Sequence, residues 1–411
     1  MRSSFSRWLP VVLAVALALR LACVVAGGDR ALVSDEIGYD DIASNLAAGH
    51  GYSLDTADGG WRPTAMRGPS YVLFLAAIYG VAGHHVRVAL VVQCLMDVAT
   101  CWLVARLARR WFASDGTALL TAVIYALYPP LVMQCAQVLS ELFVGFTLAV
   151  AVTFWFAWLE NRRAAPLVGT ALALAACALS KPHLGPLTFV LPLAALPRLG
   201  ARAALRAAAV LTAIVGALFV PWMARNSAVF HAFIPGVTQG GVSFWGGTAP
   251  VGGRFVGGVH DPWVPESVRR TVEPMSEAEA SSYFFREGAR IIAADPVRYA
   301  VLCGRKFLQL WFNLGFDTPP SKSSLLLAFA HCVAFALAFA GLRGGRGDPD
   351  AARLVVVMGL FWSVMHVAFC AVVRYAAPYL PLLFSFTAAG LLALLPGARE
   401  PRERRTGGAT P

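Results

Sequence analysis

The sequence has few charged residues for its length. Only 14% of the 411 residues are Asp, Glu, Lys or Arg, and 58% are hydrophobic, whereas charged residues make up about a quarter of a typical soluble domain. The mean hydropathy of +0.63 and the many long apolar runs exclude an ordinary soluble enzyme. The sequence therefore predicts an integral membrane protein.

Metal-binding and disulfide patterns are also missing. The eight cysteines form no CxxC pair and no Cys/His cluster, and no other metal motif occurs. Most of them lie inside apolar runs, where a free thiol serves as a small core side chain. These are Cys23, Cys94, Cys101, Cys135, Cys177, Cys332 and Cys370. We expect neither a metal ion nor another cofactor.

Lysine is nearly absent, and the positive charge comes from arginine. The formal net charge is +11, with only three lysines. The arginines occur in short clusters between apolar runs and form no basic face with interleaved aromatic residues, which argues against nucleic acid as a partner. Such clusters are typical of topology determinants, and the high ratio of arginine to lysine favours a bacterial, GC-rich genome.

The apolar runs predict about ten membrane-spanning helices, because about 20 apolar residues cross the hydrocarbon core. The first run follows Arg2 and Arg7 and resembles a signal peptide, but the number of later runs favours an uncleaved anchor. The predicted spans are 8–28, 86–108, 115–133, 138–159, 164–180, 184–198, 206–223, 324–342, 353–373 and 376–396. The predicted fold class is an all-α polytopic membrane protein.

The apolar segment 69–83 is short and lies between two polar stretches. If it does not cross the membrane, every arginine cluster falls on the side of the N-terminus, as the positive-inside rule requires. The clusters are Arg106/Arg109/Arg110, Arg162/Arg163, Arg198/Arg202/Arg206, Arg343/Arg346/Arg353 and the tail Arg399 to Arg405. We therefore predict that 69–83 is a juxtamembrane or re-entrant helix on the outer face of a bacterial inner membrane. The chain is then one integral membrane domain, 1–411, with periplasmic loops at 29–85 and 224–323.

The first of these loops opens with acidic residues. Ser34 is expected to cap a helix that runs to about Ala48, with Asp35 and Glu36 in its first turn. The acids can simply complement the helix dipole, or one of them can act as a general base, because a helix N-terminus favours the carboxylate. Asp35 is the favoured base, and its neighbours Asp40 and Asp41 are expected to be exposed. Arg62 and Arg67 follow at the end of the loop, where cations suit a phosphate.

The second loop begins with a glycine-rich, aromatic stretch, Gly240–Gly258, whose flat side chains, including Phe255, suit sugar stacking. Ser276 and Glu279 form a predicted capping box for a helix to about Ala294. Residues 297–316 are expected to return along the membrane surface. The loop is therefore predicted to cover the site as a lid.

Asp97, His331 and His366 are polar residues within predicted spans. Asp97 is expected to face the protein interior and to make a structural hydrogen bond, because an unpaired charge in a span is costly. His331 and His366 are expected to be core histidines with satisfied hydrogen bonds rather than ligands.

Several motifs, all placed on the predicted outer side, resemble the GT-C class of membrane glycosyltransferases, in particular the bacterial relatives of protein O-mannosyltransferases and lipid A aminoarabinose transferases. They are Asp35 with Tyr39, then "GHGYS"; Arg67 with Pro69; "VLSELF" with Glu141; "LSKPHLG" with Lys181 and His183; "PWMARN" with Arg225, followed by a Gly-Gly run; and "RYAAPYLPLL" with Arg374 and Tyr375. From the length of the sequence, we expect no counterpart of the large soluble domains of these enzymes.

The resemblance implies a bundle with outer juxtamembrane helices and an inverting transfer of a sugar from a polyprenyl-phosphate donor to an acceptor hydroxyl or amine. The implied catalytic residues are Asp35 as base, Glu141, which orients the acceptor or Asp35, and Glu36. The donor phosphate would bind Arg67, Lys181 and Arg374. The substrate would also contact Tyr39, His183, Arg225 and Tyr375. The partners would be membrane lipids, the lipid-linked donor and a lipid, glycan or protein acceptor.

Two other functions compete with this one. A flippase or transporter of lipid-linked sugars would show paired halves and interrupted helices near the bilayer midplane, whereas the charges here cluster at one face. An O-antigen polymerase or ligase would rely on arginines in a large outer loop, and the acids at 35 and 36 favour the transferase instead.

Overall fold

A computed structural model describes residues 3–248, 264–316, 319–345 and 347–395. Arg2, Phe255, Gly258, Arg346 and the arginines of the tail, which entered the predictions above, lie outside these residues. The helices are α1 Ser4–Gly27, α2 Asp35–Ala47, α3 Pro69–Ala82, α4 Val86–Phe112, α5 Asp115–Leu127, α6 Pro129–Gln134, α7 Glu141–Asn161, α8 Ala164–Ser180, α9 Leu187–Ala194, α10 Leu196–Leu199, α11 Ala201–Phe230, α12 Gln239–Thr248, α13 Glu266–Val272, α14 Glu277–Ala294, α15 Pro296–Phe312, α16 Lys322–Arg343, α17 Pro349–Ala368 and α18 Leu380–Leu394.

The predicted class, an all-α polytopic membrane protein, is confirmed. Within the described residues, six helices are long and apolar enough to cross a membrane: α1, α4, α7, α11, α16 and α17. The helices α5, α8 and α18, which also lie in predicted spans, are apolar but shorter. Their shared core is mostly aliphatic, and it also contains large aromatic side chains that are almost fully buried: Trp155, Phe156, Trp362, Phe384 and Phe386.

Prolines break two of the predicted spans. The run 115–133 forms α5 and α6, because Tyr128 is extended (φ −70°, ψ 110°) before Pro129 and Pro130, and a residue before proline avoids the helical region. The run 184–198 forms a short 3₁₀ turn, α9 and α10, with Pro197 in the first turn of α10.

Helix α3 has 14 residues, or about 21 Å at 1.5 Å per residue, which is too short to cross a hydrocarbon core of about 30 Å. It packs against α2, α4 and α8. Among the described residues, the arginine clusters lie at one end of the bundle. There Arg109 pairs with Asp115, Arg110 with Glu160, and Arg198 with Asp350. We call this the arginine end and the opposite end, which carries the two long loops, the loop end.

The predicted buried hydrogen bonds are present. Asp97 is paired with Arg20 of α1 and accepts a hydrogen bond from the Tyr125 hydroxyl at 2.6 Å. His331 lies within hydrogen-bonding distance of the Tyr128 hydroxyl, at 2.5 Å. His366 Nδ1 lies 2.9 Å from the carbonyl oxygen of Trp362. All three side chains therefore have structural partners.

The first loop differs from the prediction in three details. Ser34 has a positive φ of 54° and makes no side-chain cap. Asp40 was expected to be exposed but is buried. Its carboxylate accepts a hydrogen bond from the Tyr79 hydroxyl at 2.6 Å and pairs with His84 at 3.0 Å. A small antiparallel hairpin, β1 Ser53–Asp55 with β2 Trp61–Pro63, follows α2.

The second loop forms helices α12 to α15. The predicted capping box of Ser276 and Glu279 is present at the start of α14. Asp295 ends that helix and caps α15 by accepting a hydrogen bond from the Arg298 amide at 2.9 Å. Glu277 joins this loop to the first one: its carboxylate accepts hydrogen bonds from the Thr64 hydroxyl (3.1 Å), the Ala65 amide (3.0 Å) and the Thr238 hydroxyl.

Candidate functional site

Five charged side chains from five separate segments meet at the loop end. Asp35 begins α2, Arg67 precedes α3, Glu141 begins α7, Lys181 follows α8, and Arg374 lies in a 3₁₀ turn, Val373–Ala376, between α17 and α18. Chain turns at helix ends bring them together, so that residues as distant as 35 and 374 are in contact. We call these five residues the charged cluster.

Asp35 lies between two guanidinium groups. Its Oδ1 accepts a hydrogen bond from Arg67 at 2.8 Å, and its Oδ2 pairs with Arg374. Burial alone would raise the pKa of the Asp35 carboxyl, but the charges of Arg67 and Arg374 outweigh burial and lower it to about 2. Asp35 is therefore a carboxylate in the isolated protein.

Glu141 is the most buried member of the charged cluster, with a side chain only 3% exposed. Its carboxylate pairs with Lys181 at 3.3 Å and with Nε of Arg374 at 3.5 Å. Arg374 thus bridges Asp35 and Glu141. Burial works against the Lys181 charge, but Glu141 more than compensates and raises the pKa of Lys181, so this ammonium remains charged.

Tyr39 and Tyr375, which the resemblance implied as substrate contacts, lie beside the charged cluster. The Arg67 guanidinium lies 4.9 Å from the ring centre of Tyr39, and the Lys181 ammonium lies 4.6 Å from that of Tyr375. Such contacts stabilise cations within a partly desolvated site. The Tyr39 hydroxyl donates to Ser140 at 3.1 Å, next to Glu141.

A glycine sets the contact between two segments of the charged cluster. Gly68 follows Arg67 and lies against the last turn of α8, where a Cβ atom would overlap the carbonyl oxygens of Leu179 and Ser180. Lys181 comes directly after these residues. Only glycine allows the two backbones this approach.

The other predicted substrate-binding residues lie beside the charged cluster rather than in it. The His183 ring packs edge-on to His366 at 5.0 Å, and burial holds the pKa of His183 well below its usual value, so the imidazole is neutral. Its buried Nε2 makes no hydrogen bond within the described residues. Arg225 donates to the carbonyl oxygens of Thr64 at 2.6 Å and Tyr52 at 2.8 Å, and so holds the segment that leads to Arg67.

Glu36 points away from Asp35. It is 2% exposed and receives two hydrogen bonds from Arg30, at 2.5 and 2.8 Å. It also accepts from the amides of Val138 at 2.9 Å and Val33 at 3.2 Å. Glu36 therefore fastens the start of α2 to the segment before α7, and the geometry suggests a structural role rather than the predicted catalytic one.

Glu36→Gln should lower stability more than it lowers activity. The change removes a charge that four donors share, and the loss of a charged hydrogen-bonding partner costs about 1.5–3 kcal/mol. We expect a lower melting temperature, measured by thermal unfolding in detergent, with any remaining folded protein fully active. Glu160→Gln is the matched control. It alters the ion pair with Arg110, in which the Glu160 side chain is 60% exposed, and should leave the melting temperature nearly unchanged. A large fall in kcat with no fall in stability would restore Glu36 as a catalytic residue.

A cavity of about 1640 Å³ opens beside Asp35 between the two loops. It is lined by Asp35, Gly38 and Arg67 of the first loop and by residues of α13, α14 and the turn between them, including Val272, Met275 and Phe284. The sequence did not single out Glu277, which also lines this cavity and joins the loops. No sequence signal marks it, because an acid in the first turn of a helix is ordinary.

No group of three or more His, Cys, Asp or Glu side chains within the described ranges is arranged to hold a metal ion. The charged cluster instead combines two carboxylates with three cations, an arrangement suited to binding an anion and accepting a proton.

The fold is that of the GT-C class of membrane glycosyltransferases, and the resemblance seen in the sequence is confirmed. The family model described as dolichyl-phosphate-mannose-protein mannosyltransferase matches residues 66–225, from the segment before α3 to α11. This range includes Arg67, Glu141 and Lys181. No curated protein matches the chain.

Solved structures show the same fold. The oligosaccharyltransferase AglB from Archaeoglobus fulgidus, in complex with an inhibitory peptide and a dolichol-phosphate, aligns with a TM-score of 0.54 and 13% identity, over 95% of this chain and 51% of that chain. An oligosaccharyltransferase from Archaeoglobus fulgidus tethered to an acceptor peptide aligns with a TM-score of 0.56 and 12% identity, over 94% of this chain and 49% of that chain. The chain thus spans about half the length of these structures.

ArnT from Cupriavidus metallidurans, bound to undecaprenyl phosphate, aligns over 94% of this chain and 79% of that chain, with 16% identity. Its TM-score of 0.44 is too low to support an inference.

Proposed function

We propose that the protein is an inverting glycosyltransferase that moves a sugar from a polyprenyl-phosphate carrier to an acceptor hydroxyl or amine. The observation that carries the proposal is the position of Asp35, a carboxylate held between Arg67 and Arg374 at the edge of a large cavity. The match to a family named for a dolichyl-phosphate donor and the dolichol-phosphate bound to AglB support a lipid-phosphate donor.

The donor phosphate would bind Lys181, Arg374 and Arg67. These cations lie around the two carboxylates of the charged cluster, and guanidinium groups bind phosphate oxygens with two parallel hydrogen bonds. When the bond between the anomeric carbon and the phosphate oxygen breaks, the leaving phosphate gains a negative charge. Cations already held in place stabilise that charge without reorganisation.

The acceptor would enter through the cavity between α2 and α14. Its hydroxyl or amine would attack the anomeric carbon from the face opposite the phosphate, with inversion of configuration. Asp35 would take the proton released by the attacking group. Glu141, which accepts a hydrogen bond from Lys181 and lies within ion-pair distance of Arg374, would keep the cations in place.

The proposed orientation follows from the arginines. The arginine end would face the cytoplasm of a bacterium, and the charged cluster would face the periplasm. The acceptor would then be a lipid, a glycan or a protein of the cell envelope.

The pH dependence of the reaction should show that the pKa of Asp35 differs between the free protein and the donor complex. Asp35 acts as a base only when ionised, and its pKa of about 2 in the free protein means that kcat/KM should stay level from about pH 7 to about pH 4. In the complex, phosphate shares Arg67 and Arg374, so the pKa of Asp35 rises. We therefore expect kcat to fall at a higher pH than kcat/KM as the solution is acidified.

Steady-state rates in detergent, with the melting temperature recorded at each pH, check this expectation. If kcat/KM falls in parallel with kcat while the protein remains folded, the proposed rise in the pKa of Asp35 on donor binding is contradicted.

The proposed function itself is tested by incubating purified protein with a set of polyprenyl-phosphate monosaccharides and measuring release of the sugar. Release with formation of free polyprenyl phosphate supports the proposal. Movement of intact lipid-linked sugar across a vesicle membrane without cleavage would favour the transporter instead.

A further inference from the structure

The C-terminus of α17 is held by side chains from another helix. The last four carbonyl groups of a helix have no partner within it. Here the Tyr299 hydroxyl donates to the carbonyl oxygen of Ala368 at 2.7 Å, and the Cys303 thiol lies 3.9 Å from that of Val367. Both donors come from α15 of the second loop.

Lys306 makes the third of these contacts. Its ammonium donates to the carbonyl oxygen of Phe369 at 3.1 Å and lies 4.8 Å from the Tyr299 ring centre. Tyr299, Cys303 and Lys306 are spaced four and three residues apart and so lie on one face of α15. A cation at a helix C-terminus also complements the helix dipole.

Lys306 is completely buried, with 0% of its surface exposed. Burial lowers the pKa of Lys306 to about 8, so the amine is still mostly charged at pH 7. A buried ammonium is costly unless it is hydrogen-bonded, and that of Lys306 contacts the carbonyl oxygen of Phe369 and the ring of Tyr299. Its position is therefore tied to the segment that follows α17.

That segment leads directly to the charged cluster. Phe369 lies five residues before Arg374, and α15 also packs against the turn Val373–Ala376 that carries Arg374. Helix α12 closes the other side, because a Cβ atom at Gly247 would overlap the carbonyl oxygen of Phe369. The backbone at Phe369 is thus fixed from two sides by helices of the second loop.

We propose that Lys306 is a positioning residue for the donor phosphate, acting through Arg374. By holding the Phe369 carbonyl, it fixes the start of the short segment that places the Arg374 guanidinium between Asp35 and Glu141. The second loop then takes part in building the phosphate site as well as covering the cavity. This inference rests on the proposed function, since it assigns Arg374 to the donor phosphate.

The test compares Lys306→Met with wild type, alone and combined with Arg374→Ala. Loss of a charged hydrogen bond predicts that Lys306→Met raises the KM for the polyprenyl-phosphate sugar about tenfold, with a smaller fall in kcat. In the Arg374→Ala background the same change should alter this KM by less than about twofold, because the effects of two residues that act through each other do not add. Equal effects in both backgrounds would overturn the proposal. Lys322→Met, at an exposed lysine, is the matched control.

Two further measurements keep the inference testable. If Lys306→Met does not fold, Tyr299→Phe removes only one hydroxyl donor and should raise the donor KM about threefold, again only when Arg374 is present. Hydrogen exchange of the amides 369–376 should become about tenfold faster in the folded Lys306 or Tyr299 variant, and unchanged exchange would overturn the proposal even if no donor is turned over. Failure of wild type to bind any polyprenyl phosphate, with faster exchange in the variant, would instead count against the proposed function alone.

Discussion

Asp35→Asn should lower kcat by about 10²–10⁴-fold, the usual contribution of a general base. The amide has nearly the same shape as the carboxylate but cannot take the acceptor proton. Because the change also removes a negative charge that competes for Arg67 and Arg374, the KM for the donor should stay the same or fall. Single-turnover and steady-state kinetics with a saturating donor separate the two effects.

Asp29→Asn is the control for this variant. Asp29 lies at the same end of the bundle and pairs with Arg87 at 2.8 Å, but its side chain is 85% exposed. Its replacement should change kcat less than about twofold, because surface ion pairs contribute little. An Asp35→Asn protein that turns over the donor like wild type would show that another group is the base.

Arg374→Ala should lower kcat/KM for the donor by about 10²–10³-fold, the usual cost of losing one donor to a developing negative charge. The loss should appear in both kcat and KM, because Arg374 is proposed to bind the phosphate in the ground state and the transition state. In this variant Asp35 still pairs with Arg67, and Glu141 still pairs with Lys181. The protein should therefore still fold.

Arg374→Lys should restore less than about a tenth of the lost activity. An ammonium keeps the charge but lacks the fork of donors with which a guanidinium spans two acids. Arg87→Ala, which removes the exposed partner of Asp29, should have little effect. A lysine variant with full activity would mean that Arg374 contributes only charge, and that its bridge between Asp35 and Glu141 is incidental.

Much of the site could be predicted from the sequence because its residues lie at helix ends. Glu141 begins α7 and Lys181 follows α8, and hydropathy locates such ends well. Asp35 was already the favoured base, but the partners that turn Glu36 away from it are visible only in the structure. Adjacent helical residues point in directions about 100° apart, and only tertiary contacts decide which of them faces the cavity.

Other features depend on contacts between distant segments, which a single sequence does not reveal. Asp40 has the sequence pattern of an exposed acid, because its partners Tyr79 and His84 lie about forty residues further along the chain, in α3 and just after it. The strands of the hairpin have only three residues each, too few for an alternating pattern. The role of α15 becomes visible only where its side chains meet the end of α17.

The close contact at Gly68 has a consequence for the proposed phosphate site. Since the main chain before α3 rests directly on the main chain that ends α8, the backbones that carry Arg67 and Lys181 are held close together, and only their side chains can adjust to a bound anion. A methyl group on residue 68 would force these two backbones apart.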